Sequence, residues 1–137
     1  MIFLLDTNVL SEIKRGRGDA RVKSWFAKAD SGALFTSVMV VGEIRRGIEL
    51  IRRRDASQVA GFEAWLAQLQ QEFGERVLPI TQEIAEEWGR LNVPDPLPTI
   101  DALLVATARV LDLTIVSRNI RDIGRGGARV LDPWQGG

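Results

Sequence analysis

Short apolar runs alternate along this chain with longer segments whose apolar residues recur every three or four positions. Each run has the length of a strand that is buried on both faces of a sheet. The predicted strands are 2–5, 33–36, 76–80, 113–116 and 129–131. Because strands and helices alternate, the sequence predicts an α/β sandwich around a mainly parallel sheet of four or five strands.

Helices with one apolar face are predicted between these strands. Their segments are 9–14, 20–29, 38–53, 55–73, 82–91 and 100–111. Ser37, Thr81 and Thr99 are predicted N-caps, because a hydroxyl group there can accept a hydrogen bond from a free N–H of the helix. Segment 92–98 holds three prolines and is predicted to be a loop, as is 117–127 apart from a short turn. The 137 residues fit a single domain, 1–137.

The composition excludes several catalytic chemistries. The chain has no cysteine, no histidine and no tyrosine. A disulfide framework, a Ser-His-Asp triad and a histidine-ligated zinc are therefore impossible. A hydrolase built from the remaining side chains would use oxygen ligands and a hard divalent cation.

The sequence gives no sign of a membrane segment. No apolar stretch approaches the roughly 18 residues that a helical span requires. The apolar start of the chain ends at Asp6, without the basic flank and longer core of a signal peptide. A cytoplasmic protein is expected.

Three acids stand where a parallel sheet would form a site. Asp6 follows the first predicted strand, Glu43 lies in the first turns of the helix after the second, and Asp101 lies in the first turn of the helix before the fourth. Sites in such sheets form at the carboxyl ends of the strands, near a topological switch. Asp101 reaches that edge only if the 92–98 loop returns the chain to it. Each acid could instead be a helix cap or a solvated residue, but the apolar neighbours of Glu43 and Asp101 argue against this alternative.

Carboxylates gathered at one edge would repel each other. A pair of like charges about 4 Å apart costs about 4 kcal/mol at an effective dielectric constant of about 20. A divalent cation removes this cost, and it can also activate water and orient a phosphodiester. The acids therefore predict a metal site that needs no histidine.

Four blocks of sequence occur in a characteristic order and cover nearly the whole chain. They are FLLDTNVLSE at 3–12, TSVMVVGEIRRGI at 36–48, IDALLVATA at 100–108 and TIVSRNIRD at 114–122. Together they resemble the PIN-domain family, in particular its VapC-type toxins and their FitB-like relatives, and the closing DPW at 132–134 is similar to the end of FitB-like members. The resemblance implies a PIN-like α/β/α sandwich. It also implies a metal-dependent endoribonuclease that is the toxin of a type II toxin–antitoxin pair.

The same resemblance implies roles for individual residues. Asp6, Glu43 and Asp101 would bind Mg²⁺ or Mn²⁺, with Asp6 and Asp101 as the primary ligands. Thr7 or Ser37 would polarise a water molecule or assist a ligand.

A fourth position departs from the commonest family pattern. Many relatives have an acid where this chain has Asn119, and Asp122 follows three residues later. Either Asn119 contributes an amide contact or Asp122 reaches into the site. Since an amide adds no negative charge, one well-occupied metal and a weakly held second metal are expected.

The resemblance also implies partners. These are an RNA substrate, a second copy in a homodimer, and a VapB-type antitoxin that places a basic side chain in the acidic site. Contact with DNA would come only through the antitoxin, and no membrane is involved. Arginines in segments 45–54 and 118–129 are expected to bind RNA phosphates, because the planar guanidinium group suits bidentate contact.

Two alternatives remain open. A phosphatase of the haloacid dehalogenase type also places an Asp after its first strand, but it needs a second Asp where Asn8 stands and a lysine in a later motif, and the only lysines are 14, 23 and 28. The other alternative is a catalytically weak PIN-fold binding module that acts through a partner, which Asn119 in place of a fourth acid would favour.

Overall fold

The computed structural model describes residues 1–136 as seven α-helices around one sheet, with short 3₁₀ turns between them. The strands are β1 (Phe3–Leu5), β2 (Leu34–Ser37), β3 (Val77–Leu78), β4 (Thr114–Val116) and β5 (Val130–Leu131). The helices are α1 (Thr7–Lys14), α2 (Ala20–Lys28), α3 (Val38–Arg54), α4 (Val59–Phe73), α5 (Gln82–Leu91), α6 (Thr99–Leu111) and α7 (Ile120–Arg125).

The five strands form an all-parallel sheet in the order β3-β2-β1-β4-β5. The chain therefore builds outward from β1 in one direction and then returns to add β4 and β5 on the other side. This reversal makes the carboxyl ends of β1 and β4 the topological switch, where ligand sites form in sheets of this kind. The predicted α/β architecture with a mainly parallel sheet is confirmed.

Helices cover both faces of the central strands, and the core is correspondingly apolar. Leu4 and Leu5 of β1 and Ile115 and Val116 of β4 are completely buried. Helix α6 contributes a further buried group, since Ala102, Leu104, Val105, Ala106, Thr107 and Ala108 are all inaccessible or nearly so. The apolar α6 is thus fixed against the sheet, and its first turn is held at a defined place.

The 92–98 loop is anchored by one side chain. Asn92 accepts a hydrogen bond from the backbone N–H of Leu97 at 3.0 Å and donates from its amide nitrogen to the carbonyl oxygen of Trp88 at 2.7 Å. Leu97 is buried. The loop returns the chain to the carboxyl edge of the sheet, because Asp101 in the next helix lies beside Asn119, which follows β4.

The local predictions were partly right. Ser37 and Thr81 are N-caps, accepting from the backbone N–H groups of Met39 and Ile84. The prediction for Thr99 was wrong. Pro98 has extended backbone and stands at the cap position, so Thr99 is already the first helical residue and its hydroxyl makes no cap bond.

Helix α7 occupies part of the segment that was predicted to be a loop with a short turn. It has six residues, fewer than two turns, so it is too short to show an apolar repeat in the sequence. One completely buried side chain, that of Ile123, holds it against the core.

None of the helices within residues 1–136 has the length and apolar character that a bilayer span requires.

Leu104→Ala should lower the free energy of unfolding by about 2–5 kcal/mol, because the change leaves a cavity at a completely buried position of α6. Leu111→Ala is the matched control on the same helix. Its side chain is 45% exposed, so a loss of about 0.5 kcal/mol or less is expected. Urea denaturation measures both, and equal losses would contradict the placement of α6.

Candidate active site

Asp6 lies at the topological switch, directly after β1, and is only 5% exposed. Its Oδ1 accepts a hydrogen bond from the backbone N–H of Thr7 at 2.7 Å and so caps α1. Its Oδ2 accepts from the hydroxyl of Ser117 at 2.8 Å and from the amide of Asn8 at 3.3 Å. The Asp6 carboxylate therefore caps α1 and also stands at the predicted site, so the two interpretations of Asp6 do not exclude each other.

The environment of Asp6 is unfavourable for its negative charge. Burial raises the pKa of Asp6 above its usual value, and the hydrogen bonds from Ser117 and Thr7 offset part of this effect. All three donors are neutral, so they orient the carboxylate without cancelling its charge. A positive charge at this place would bind favourably.

A hydrogen bond from Thr7, the first residue of α1, connects Glu43 to the site. Glu43 lies in the second turn of α3, and its Oε1 accepts a hydrogen bond from the hydroxyl of Thr7 at 2.6 Å. The hydroxyl of Ser37, by contrast, accepts from the backbone of Met39 and caps α3. Thr7 thus contacts a predicted site acid directly, whereas the contact of Ser37 is to the backbone at the start of a helix.

Asp101, Asn119 and Asp122 meet just after the carboxyl end of β4. The amide nitrogen of Asn119 donates to Oδ2 of Asp101 at 2.9 Å and lies 3.4 Å from Oδ2 of Asp122. Its backbone N–H donates to the hydroxyl of Ser117 at 3.0 Å. Both candidates for the fourth position are therefore present together, with the amide between two carboxylates.

The four acids are close enough to affect one another. The pKa of Asp101 is raised to about 6, first by burial and then by repulsion from Asp6, Asp122 and Glu43, while the hydrogen bond from Asn119 acts in the opposite direction. The residues named from the sequence thus share one electrostatic environment.

The acids do not form a complete metal cage. Within residues 1–136, no group of three or more Asp or Glu side chains converges closely enough to hold an ion by itself. Mg²⁺ seldom uses such a cage, since it is usually bound by one or two carboxylates and completes its octahedron with water and substrate phosphate oxygens. The donor set, which is all oxygen and includes a buried carboxylate, fits an ion of this kind.

Two contributors to the site were not given a role by sequence reasoning. The completely buried hydroxyl of Ser117 donates to Asp6 and accepts from Asn8 at 3.2 Å and from the backbone of Asn119. Asn8 also accepts from the backbone N–H of Arg118 at 3.3 Å. The available signal was position, because Ser117 is a polar residue directly after the apolar β4 run.

The arginines expected to bind RNA differ in how they are engaged. Arg45 and Arg52 form ion pairs of 2.7 and 2.9 Å with Glu63 and also contact Glu49, so these four side chains connect α3 to α4. Two of the five arginines in segment 45–54 are therefore compensated locally.

Arg118, from the other segment expected to bind RNA, lies at the edge of the site. The guanidinium group of Arg118 lies 5.2 Å from the ring centroid of Trp134, a buried side chain that packs back on the fold. This contact holds the Arg118 side chain against the protein, next to the residues that surround Asp6.

Comparison with known proteins gives a consistent result along the whole chain. The plasmid stability protein StbB of Pseudomonas syringae pv. tomato is 28% identical and is covered over 99% of its length by 98% of this chain. The toxin FitB of Neisseria gonorrhoeae is 25% identical, with 97% of this chain and 99% of the relative covered. The VapC ribonuclease Y4jK of Sinorhizobium fredii is 25% identical, with 98% and 99% covered.

The fold comparison agrees. A crystal structure of FitAcB from Neisseria gonorrhoeae superposes with a TM-score of 0.89 at 25% identity, covering 97% of this chain and 99% of that chain. The PIN domain family model matches residues 3–125, which include every acid described above. With its switch-point acids and this match over most of its length, the chain belongs to the PIN domain family.

Proposed function

We propose that this chain is an endoribonuclease that depends on Mg²⁺ or Mn²⁺ and is the toxin component of a type II toxin–antitoxin pair. The observation that carries the proposal is the gathering of Asp6, Glu43, Asp101 and Asp122 at the switch point, where burial and then the repulsion from the other three acids raise the pKa of Asp101. Relatives named as a toxin and as a ribonuclease support the assignment to RNA cleavage.

Asp6 and Asp101 are the proposed primary ligands, and Glu43 is the third acid. Asn119 and Asp122 share the fourth position. When bound, the ion would supply Lewis-acid polarisation of a phosphodiester and a lower pKa for water. Because Asn119 is neutral, a second ion is expected to bind weakly.

The residues of the chain hold these carboxylates in place. Ser117 and Asn8 fix one oxygen of Asp6, and the backbone N–H of Thr7 fixes the other. The hydroxyl of Thr7 fixes Glu43. Such supporting contacts typically change metal affinity or activity about 10- to 100-fold when they are removed.

An apolar groove beside the acids supports the proposed antitoxin partner. It has a volume of about 230 Å³, begins at Thr7 and Glu43, and is lined by Ile44, Ile48, Ile51, Phe62 and Trp65. We infer that an apolar segment of a VapB-type antitoxin occupies this groove and brings a basic side chain to the acids. That side chain would compensate the same charge as the metal. A homodimer, and DNA contact through the antitoxin, complete the proposed assembly.

Asp6→Asn and Asp101→Asn should each reduce cleavage of RNA in Mn²⁺ by about 100-fold or more, because several kcal/mol of transition-state stabilisation depend on the ion they hold. Fluorescence from a quenched RNA oligonucleotide measures the rate, with EDTA as the blank. Asp112→Asn is the matched control, since that side chain is 86% exposed at the far end of α6. Full activity in both site variants would refute the proposal and favour a binding module that does not cleave.

Asp101→Asn should also stabilise the metal-free protein at neutral pH. The pKa of Asp101 is about 6 in the folded chain and 3.8 ordinarily, so the folded state holds this proton more tightly. Stability is therefore lost as pH rises from about 4 through 6, and the variant escapes this loss. Urea denaturation in EDTA at pH 5 and pH 7.5 measures the difference between variant and wild type. A difference that does not grow between these two pH values would contradict the raised pKa of Asp101.

Ser117→Ala should raise the Mn²⁺ concentration needed for half-maximal cleavage by about 10-fold or more, because Oδ2 of Asp6 loses its closest donor. Titration of the cleavage rate with Mn²⁺ gives this concentration. Ser24→Ala, at an exposed position of α2, is the control and should titrate like the wild type. If Ser117→Ala does the same, Ser117 has no part in holding Asp6 for the ion.

A further inference from the structure

A second charged pocket lies near the other end of α6 from Asp101. The ends of α5 and α7 and the later part of α6 surround an open space of about 400 Å³, lined by Glu87, Arg90, Leu91, Arg109 and Arg125 among others. Among the lining residues, three arginines and one glutamate carry two net positive charges, and Asp122, 3.7 Å from Arg125, compensates part of this charge. The chain as a whole has no net charge, so this is a local concentration of positive charge.

Glu87 orients two of the arginines. Its side chain is 14% exposed, and its two oxygens lie 3.1 Å from Nε of Arg90 and 2.9 Å from Nε of Arg109. Arg109 also donates to the carbonyl oxygen of Gly126 at 3.0 Å. The bond between Arg90 and Glu87 uses Nε, which leaves the two terminal amino groups of Arg90 available for a ligand. Arginines that are held in this way lose less entropy when they bind.

The pocket is continuous with the acids. Arg125 lies 3.7 Å from Asp122, Asp122 lies 3.4 Å from the amide of Asn119, and the same amide donates to Asp101. Along α6, Arg109 stands eight residues after Asp101, which corresponds to about 12 Å of helix. A single bound strand can therefore reach both places.

We propose that this arginine pocket binds a backbone phosphate of the RNA strand whose scissile phosphodiester lies at the acids. The inference rests on the proposed function and names the surface that holds its substrate.

The acids alone would repel a polyanion, so a chain without net charge needs fixed positive charge close to them. A guanidinium group meets a phosphate through two parallel hydrogen bonds, which suits a pocket lined by three arginines.

The test is RNA binding by the double variant Arg90→Ala/Arg125→Ala. The probe is a short single-stranded RNA labelled with fluorescein, and anisotropy is measured in EDTA so that no cleavage occurs. We expect Kd to rise about 10-fold or more and the salt dependence of binding to fall by about one unit of slope for each arginine. In Mn²⁺, the KM for cleavage should rise more than kcat falls. Both side chains are more than half exposed, so the variant should melt like the wild type.

The matched control is Arg15→Ala/Arg17→Ala, which removes two exposed arginines directly after α1, outside both segments expected to bind RNA. Its Kd and salt slope should stay close to those of the wild type. An equal loss of RNA affinity in the control variant would mean that only the total charge of the protein matters, and it would overturn the proposal. An unchanged Kd in the Arg90/Arg125 variant would overturn it as well.

Further outcomes separate the pocket from the proposed enzyme. If the wild type binds RNA without cleaving it and the Arg90/Arg125 variant binds RNA poorly, the RNA-binding role of the pocket is supported and the ribonuclease proposal is wrong. If the variant loses binding to a labelled polyglutamate peptide but keeps its affinity for RNA, the pocket belongs to an acidic protein segment and the proposal is wrong. A double Arg→Lys variant should keep most of the salt slope and still bind more weakly, because lysine lacks the planar fork.

Discussion

Repulsion among carboxylates at the switch point is the constraint on which the rest of this structure depends. Asp6 is buried at the end of β1. The pKa of Asp101 is raised by burial and by the charges of three other acids. An arrangement of this kind lowers the stability of the free chain. It persists because the strands beneath it and the apolar α6 beside it are buried firmly enough to hold the acids in place.

The polar residues around the acids share one property, which is that they carry no charge. Ser117, Asn8, Thr7 and Asn119 each donate a hydrogen bond to a carboxylate. They fix the directions of the carboxylates and leave the negative charge in place. The site is therefore prepared for a cation from outside, and in the proposed function this is either a metal ion or a basic side chain of an antitoxin.

The arginines of the chain are divided between two uses. Arg45 and Arg52 form exposed ion pairs with glutamates that connect α3 to α4, and exposed pairs of this kind contribute little to stability. Arg90 and Arg125 lie in a pocket whose positive charge is only partly compensated. This division explains how a chain without net charge can present both an acidic centre and a basic surface, as the proposed cleavage of a polyanion requires.

The sequence by itself determined the fold class, the approximate strands and the acids at 6, 43 and 101. These depend on local patterns, namely apolar runs, helical spacing and polar residues directly after strands. Only the tertiary structure decided that the 92–98 loop returns Asp101 to the site and that Ser117 holds Asp6 from 111 positions away. It also decided the grouping of Arg90, Arg109 and Arg125. The physical reason is that hydrogen bonds and charge interactions depend on distance in space, which a sequence read position by position does not contain.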